Sequence, residues 1–278
     1  MKVGQVCLKV GMSRQNYYGM RKQRQSWAVD EELVVELVRQ ERQVQPRIGG
    51  RKLGRVLAPA LAEAGIKMGR DRLFKLLRER GLLVPALPRS WPQTTHYNAS
   101  LPVFHNEIKD LAIERANQVW VSDLTYVRTG QNYLYLSLIT DRYSRKIVGW
   151  YAHDTLETTG SLKALEMALA GLPAGAKPIH HSDRGCQYCS HEYVQALTQG
   201  GLSVSMTETD HCAENALAER VNGILKQEYG IGGGFLTHAL ARQAIAQAVH
   251  LYNTRRLHSA IGYQVPAQVH LRGCVAQV

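Results

Sequence analysis

No apolar run in the 278 residues approaches the ~18 that a membrane span needs. The opening stretch MKVGQVCLKVGMSRQ is too polar for a secretory signal. Both absences lead us to expect a cytoplasmic protein that neither spans nor crosses a membrane. Cysteine is scarce and odd in number: Cys7, Cys186, Cys189, Cys212 and Cys274 are scattered through a long chain. That excludes a disulfide framework and makes reduced thiols the expectation. The pair Cys186-x2-Cys189 has His180, His181, His191, His211 and Cys212 nearby, but the second spaced pair of a zinc ribbon is missing. A structural or incidental role is expected for these cysteines. Acidic residues are sparse in one place. Residues 1–100 hold 19 Lys+Arg against 8 Asp+Glu, whereas residues 101–278 hold 15 of each. The whole excess of +11 therefore lies in the first third. A merely solubilising surface does not need such segregation; binding to a polyanion does.

The chain divides by composition into five segments. Residues 1–28 outline a partial helix-turn-helix. QVCLKVGM forms a first helix closed by Gly11, and Ser13 is placed to N-cap the next. Residues 29–84 form a basic helical DNA-binding region, opening with an amphipathic stretch at 29–43 that carries Leu33, Leu37 and Val38 on one side. Within it RIGGRKLGRVLAPALAEAG reads as a helix stopped at Gly65, and MGRDRLFKLLRERGL as another with Leu73, Leu76 and Leu77 inward and Gly81 as its stop. Residues 85–112, rich in proline at the start, are a linker. Residues 113–235 form an α/β core, and 236–278 a C-terminal helical extension. In the core, VWVSDLTYVRT, QNYLYLSLITD and RKIVGWYAHD read as three strands with short connections. They are followed by helix, strand, helix, strand and helix. That order is the order of a ribonuclease H-like domain, so the expected fold is α/β. It is a five-stranded mixed sheet with flanking helices, preceded by an all-α, helix-turn-helix-like region.

Three acids stand out: Asp123 in a strand, Asp183 just after one, and Glu219 on a helix, with 35 residues between it and Asp183. If folding brings them together, ~4 Å separations would cost roughly 4 kcal/mol per pair at an effective dielectric of 20. A gathered set must then take up a proton or a cation. An all-oxygen set suits Mg²⁺, with Mn²⁺ as a substitute, and two such ions can serve an in-line phosphoryl transfer. On the third acid's helix, at 100° per residue, Asn215, Glu219, Asn222 and Lys226 fall within roughly 60° of one another, opposite Leu217, Val221 and Ile224. Glu219 thus points away from the apolar stripe, and Lys226 is placed to meet a phosphate. Glu214 is a rival acid, ~140° from Glu219 around the helix.

These residues bring the chain close to a known family. Trp120-Val-Ser-Asp123-Leu-Thr-Tyr126, His181-Ser-Asp183-Arg-Gly185 with Gln187-Tyr188, Ser205-Met206, and Asn215-Ala216 with Ala218-Glu219, Leu225-Lys226 and Glu228 occur in order. So does Tyr252-Asn253-Thr-Arg-Arg256-Leu-His258, with Pro266 downstream. The chain resembles insertion-sequence transposases of the OrfB type, relatives of retroviral integrases, over nearly its whole length. The resemblance departs at Glu214, where an Asp is usual, and at Leu257, where a Pro is usual. It implies that 113–235 is an integrase catalytic core and that Asp123, Asp183 and Glu219 are metal-binding DDE acids. The implied activity is DNA cleavage and strand transfer at the ends of an insertion sequence, by water or a 3′-hydroxyl, with no covalent enzyme–DNA link. Expected partners are DNA (terminal inverted repeats and target), further copies of the chain assembled on DNA, and an upstream-frame DNA-binding protein. The expected place is the bacterial nucleoid. Arg14, Arg51, Arg70, Arg72, Lys75, Lys226 and Arg256 are the expected DNA contacts. Two other readings stay open: a non-enzymatic, sequence-specific DNA-binding regulator, and a nuclease of RNA–DNA hybrids.

Overall fold

A computed structural model describes residues 3–4, 7, 11–85, 102–130, 132–208 and 214–275. The expected first helix of the helix-turn-helix, most of the linker (86–101), and His211 and Cys212 lie outside or largely outside these residues. Two units emerge, Met1–Ala86 and Leu87–Val278.

The first unit is helical: α1 (Arg14–Val44), α2 (Gly50–Glu63) and α3 (Arg70–Glu79). Ser13 caps α1 by accepting a hydrogen bond from the Asn16 amide at 3.1 Å. The division expected between residues 28 and 29 falls inside this one continuous 31-residue helix. No Gly or Pro interrupts residues 21–44, so nothing local ends it. The buried side of α1 also differs from the expected one. Val34, Val35 and Val38 are buried, Leu37 packs beside them, and Leu33 is 43% exposed. Leu53, Leu57 and Leu61 of α2 and Leu73, Leu76 and Leu77 of α3 complete this core. Gly65 and Gly81 close α2 and α3 with φ of 70° and 64°, the left-handed conformation that glycine adopts without strain.

The second unit is a three-layer α/β structure. Its strands are β1 (Val119–Arg128), β2 (Tyr133–Asp141), β3 (Ile147–His153), β4 (Ile179–Ser182) and β5 (Ser203–Met206), in the order β3-β2-β1-β4-β5. β1, β2 and β3 form the antiparallel meander; β4 joins β1, and β5 joins β4, in parallel. This is the expected mixed, ribonuclease H-like sheet. One face carries α4 (Thr158–Ala170) and α6 (His191–Gln199), packed through Leu165, Ala168 and Leu197 against Trp120 and Ile139. Gly149 of β3 lets α4 approach closely, because a Cβ there would collide with the Ala164 carbonyl oxygen. The other face carries α7 (Ala216–Glu228) and α8 (His238–Thr254). Val221, Ile224, Ala241, Ile245 and Tyr252 share one cluster with Val127, Leu134 and Leu136 of the sheet. Beyond residue 235, therefore, α8 helps to build the same core. A short α5 (Cys186–Cys189) and a final α9 (Pro266–Val275) complete the unit.

Candidate active site

The site begins with a mismatch in strand length. β1 has ten residues and β4 only four. Their parallel ladder runs from Val119 opposite Ile179 to Ser122 opposite Ser182, and stops. Asp123 and Asp183 are the next residues, so two carboxylates leave neighbouring strands at the same level. Asp183 turns the chain at once: its Oδ1 accepts from the Gly185 amide at 3.1 Å.

Helix α7 lies across this junction and is tied to it by two asparagines. Asn215 Nδ2 donates to the Ser122 carbonyl at 3.0 Å, and Asn222 Nδ2 donates to Asp123 Oδ2 at 2.7 Å. Asp123 Oδ1 accepts from the Leu124 amide at 2.9 Å. Glu219 lies between the two asparagines on the same stripe, in the first turn of α7, and is exposed. The two asparagines thus tie one edge of the stripe to β1, and Glu219 stands on its exposed rim. The stripe's expected opposite, Val221 and Ile224, is buried in the core.

Electrostatics show which acids meet. Burial first, and then the charge of Asp183, push the Asp123 carboxyl from 3.8 up to about 7; the Asn222 and Leu124 hydrogen bonds oppose this, and Glu219 adds a smaller push upward. Asp123 keeps some solvent contact as a residue, but its carboxylate is hemmed in by protein and by like charge. Asp123 and Asp183 form the close pair, with Glu219 at the rim. Among the described residues, no three His, Cys, Asp or Glu side chains stand close enough to hold one metal ion as a ready-made set. Repulsion among ionised carboxylates works against closer approach without a cation. Lys226 is half-buried beside this pair: burial lowers its proton affinity and the charge of Asp123 raises it.

The rival acid is spoken for. Glu214 Oε2 accepts from Asn106 Nδ2 at 2.9 Å and from the Glu208 amide at 2.6 Å, and its charge bears on His181. The paired histidines brace the sheet. His180 Nε2 lies 2.7 Å from Ser122 Oγ and 3.0 Å from Tyr193 Oη, and His181 Nδ1 lies 2.9 Å from Ser205 Oγ. Burial, aided by His181 for the first and Arg142 for the second, drops them to about 3 and about 4, so both are neutral. Cys189 is buried against Met206, Sγ to Sδ 3.7 Å, and burial followed by Asp183 raises its thiol to about 11. A thiol so reluctant to ionise is a poor zinc ligand.

The basic residues expected at DNA divide into exposed and engaged groups. Arg14, Arg51 and Lys75 are exposed, and Lys75 lies 3.8 Å from Glu79 one turn on. Arg70 is exposed and paired with Asp71 at 2.8 Å. Arg72 is half-buried, 3.2 Å from Glu31 and 5.1 Å above the Trp27 ring. Arg256 corrects the expectation outright. It is 2% exposed, its Nε and Nη2 donate to both oxygens of Glu228 at 2.8 and 2.7 Å, and its guanidinium stacks on Tyr252. It joins the end of α7 to the end of α8, and no phosphate can reach it without breaking that pair. Asn222 takes a role the sequence does not assign to it, holding the Asp123 carboxylate. Its place on the polar stripe, one turn after Glu219, was the available signal.

Sheet order, the acid pair at the first parallel junction and the helix laid across it define a ribonuclease H-like core of the integrase type. Two family models, both described as integrase core domain, match residues 113–212 and 200–266. The chain is 38% identical over 268 residues to the insertion element IS600 uncharacterized 31 kDa protein of Shigella sonnei, covering 94% of this chain and 96% of that one. It is 32% identical over 274 residues to the transposase for insertion sequence element IS629 of Shigella sonnei, covering 96% and 90%. Among solved structures, the HTLV-2 integrase catalytic core domain aligns with a TM-score of 0.45 at 20% identity, covering 55% of this chain and 96% of that one. The chain belongs to the insertion-sequence transposases with an integrase-like core, a family of polynucleotidyl transferases acting in DNA transposition.

Proposed function

We propose that this transposase cuts and joins DNA at the ends of its insertion sequence by DDE chemistry, with Asp123, Asp183 and Glu219 as the metal-holding acids. The observation that carries this reading is the adjacency of Asp123 and Asp183 at the end of the β1–β4 ladder, with the Asp123 carboxyl raised to about 7. Two carboxylates in that state call for a proton or a cation, and an oxygen-only donor set fits Mg²⁺ or Mn²⁺. Glu219, on the exposed rim of α7, supplies the third carboxylate. When bound, two such ions supply Lewis acidity to the attacking and leaving oxygens of an in-line displacement.

The chain's own groups do the positioning. Asn222 and the Leu124 amide each hold one oxygen of Asp123, which fixes the plane of its carboxylate. Lys226 keeps a cation beside Asp123, where the negative charge of a phosphodiester would enter. Water or a DNA 3′-hydroxyl is the nucleophile. The basic region 29–84, joined through the linker 85–112, captures DNA by counterion release, with Arg51 and Lys75 among its exposed contacts. Joining needs two DNA ends at once, so the working form is a homo-oligomer on DNA.

The test is Asp183→Asn, assayed on duplexes carrying the element's terminal inverted repeat with Mg²⁺. Binding should persist while nicking and joining disappear. Wild-type activity in that variant refutes the assignment. A wild-type protein that binds the repeats but never cuts them favours the non-enzymatic regulator instead.

A further inference from the structure

Among the described residues, one surface of the second unit exposes a cluster of aromatic rings. Beyond Ser122, β1 has outrun its ladder with β4. On the face that carries α4, the side chains of β1 alternate outward at Tyr126 and Arg128. Their partners in register on β2 are Tyr135 and Tyr133. Tyr126 is 44% exposed and Tyr133 43% exposed, and it is their contiguity that sets them apart from singly exposed side chains. The rings meet edge to face: Tyr126 lies 6.1 Å from Tyr133 and 5.3 Å from Tyr135, centroid to centroid. Such tilting leaves ring faces open to a visitor. Farther across the sheet, Lys163 stands 4.7 Å over the ring of Tyr151. Exposed Arg128 and this lysine place positive charge at either side of the tyrosines.

The patch and the acid pair share the open edge of β1 beyond its ladder with β4. Tyr126 follows Asp123 by three residues, about 10 Å along an extended strand, with its side chain on the opposite face of the sheet. Its electrostatic neighbours are Tyr135 and Cys186, and Cys186 follows Asp183 by three residues. A strand of DNA whose phosphodiester lies at Asp123 and Asp183 meets this platform, within a few nucleotides, by passing round that open edge at Cys186. Ring faces accept any base, the flanking cations suit its phosphates, and duplex DNA has no free base faces to offer except at its ends.

We propose that Tyr126 and Tyr133 form a stacking platform for unpaired bases of the DNA strand being processed, with Arg128 holding its backbone. This rests on the DDE reading for the direction from which the strand arrives.

The probe is a duplex with a short single-stranded overhang, compared with the same duplex blunt-ended. Binding is measured to the full chain in chelator, with 2-aminopurine in the overhang. Wild type should prefer the overhang duplex and quench the 2-aminopurine. Tyr126→Ala/Tyr133→Ala should lower overhang affinity about fivefold or more, the loss of at least one base stack, with blunt binding unchanged. Tyr126→Phe/Tyr133→Phe should restore the preference, which separates stacking from damage to the sheet. The preference should survive added salt that weakens blunt binding, since stacking releases few counterions. Equal binding of both duplexes by wild type, or an undiminished preference in the alanine pair, overturns the proposal. The measurement contains no metal, so its failure is distinct from that of the acids. If the platform fails while Asp183→Asn still abolishes cleavage, the DDE reading stands alone. If Asp183→Asn cleaves while overhang preference depends on the tyrosines, the platform stands and the acid assignment falls.

Discussion

Arg256→Met removes a cation that the sequence suggests for DNA and the fold uses for itself. Arg256 and Glu228 are joined by two short bonds of 2.8 and 2.7 Å, with side-chain exposures of 3% and 21%. Breaking a buried pair by deleting one partner costs ~3–5 kcal/mol, because the remaining charge is stranded. Glu228 keeps partial access to water, which places this case near ~3 kcal/mol. In a unit of this size each kcal/mol lowers Tm by roughly 2–4 °C, so the variant should melt about 6–12 °C lower. Adding Glu228→Gln should recover a good part of that, since the stranded carboxylate is gone. Thermal unfolding followed by circular dichroism reads both variants. DNA binding, measured where both proteins are folded, should keep its salt dependence. An unchanged Tm together with a slope of log K against log salt shallower by about one would make Arg256 a phosphate contact and refute the reasoning.

Two further outcomes follow from the same geometry. The Asp123 carboxyl is raised in the fold from 3.8 to about 7, so the metal-free fold carries no penalty from it below about pH 4. Between about pH 4 and pH 7 the unfolded chain ionises while the fold keeps the proton, and stability falls. Above about 7 the penalty is constant, at most ~4 kcal/mol and less after solvent screening. Asp123→Asn in chelator should therefore be more stable than wild type by a margin that widens from acid to neutral pH in urea denaturation; a margin independent of pH contradicts the burial and like-charge pairing that raise this carboxyl. Arg51→Ala and Lys75→Ala, both on the exposed surface of the helical unit, should each lower the salt slope of DNA binding by about one with little change in Tm; unchanged slopes would move the DNA interface elsewhere.

Much of the site was legible because it is periodic. The polar stripe Asn215–Glu219–Asn222–Lys226 follows from the helical repeat alone, and in the fold its two asparagines bind β1. The cap at Ser13 and the stops at Gly65 and Gly81 are also local chemistry. The buried side of α1 was harder. Leu33, Val34, Val35, Leu37 and Val38 offer two adjacent apolar stripes, and only the positions of α2 and α3 select Val34, Val35 and Val38.

The core strands and helices, the acid spacing and the basic first third are legible in the chain alone, since each depends on neighbours along it. That Asp123 and Asp183 stand side by side follows only from packing, because it depends on the register of strand residues sixty positions apart, Ser122 opposite Ser182. Packing also decided that Glu214 turns to Asn106 and the Glu208 amide, and that Arg256 turns inward to Glu228. A charged side chain has the same local signature whether it meets solvent, phosphate or a buried partner. Which of these it meets is set by the desolvation and pairing that only long-range packing imposes.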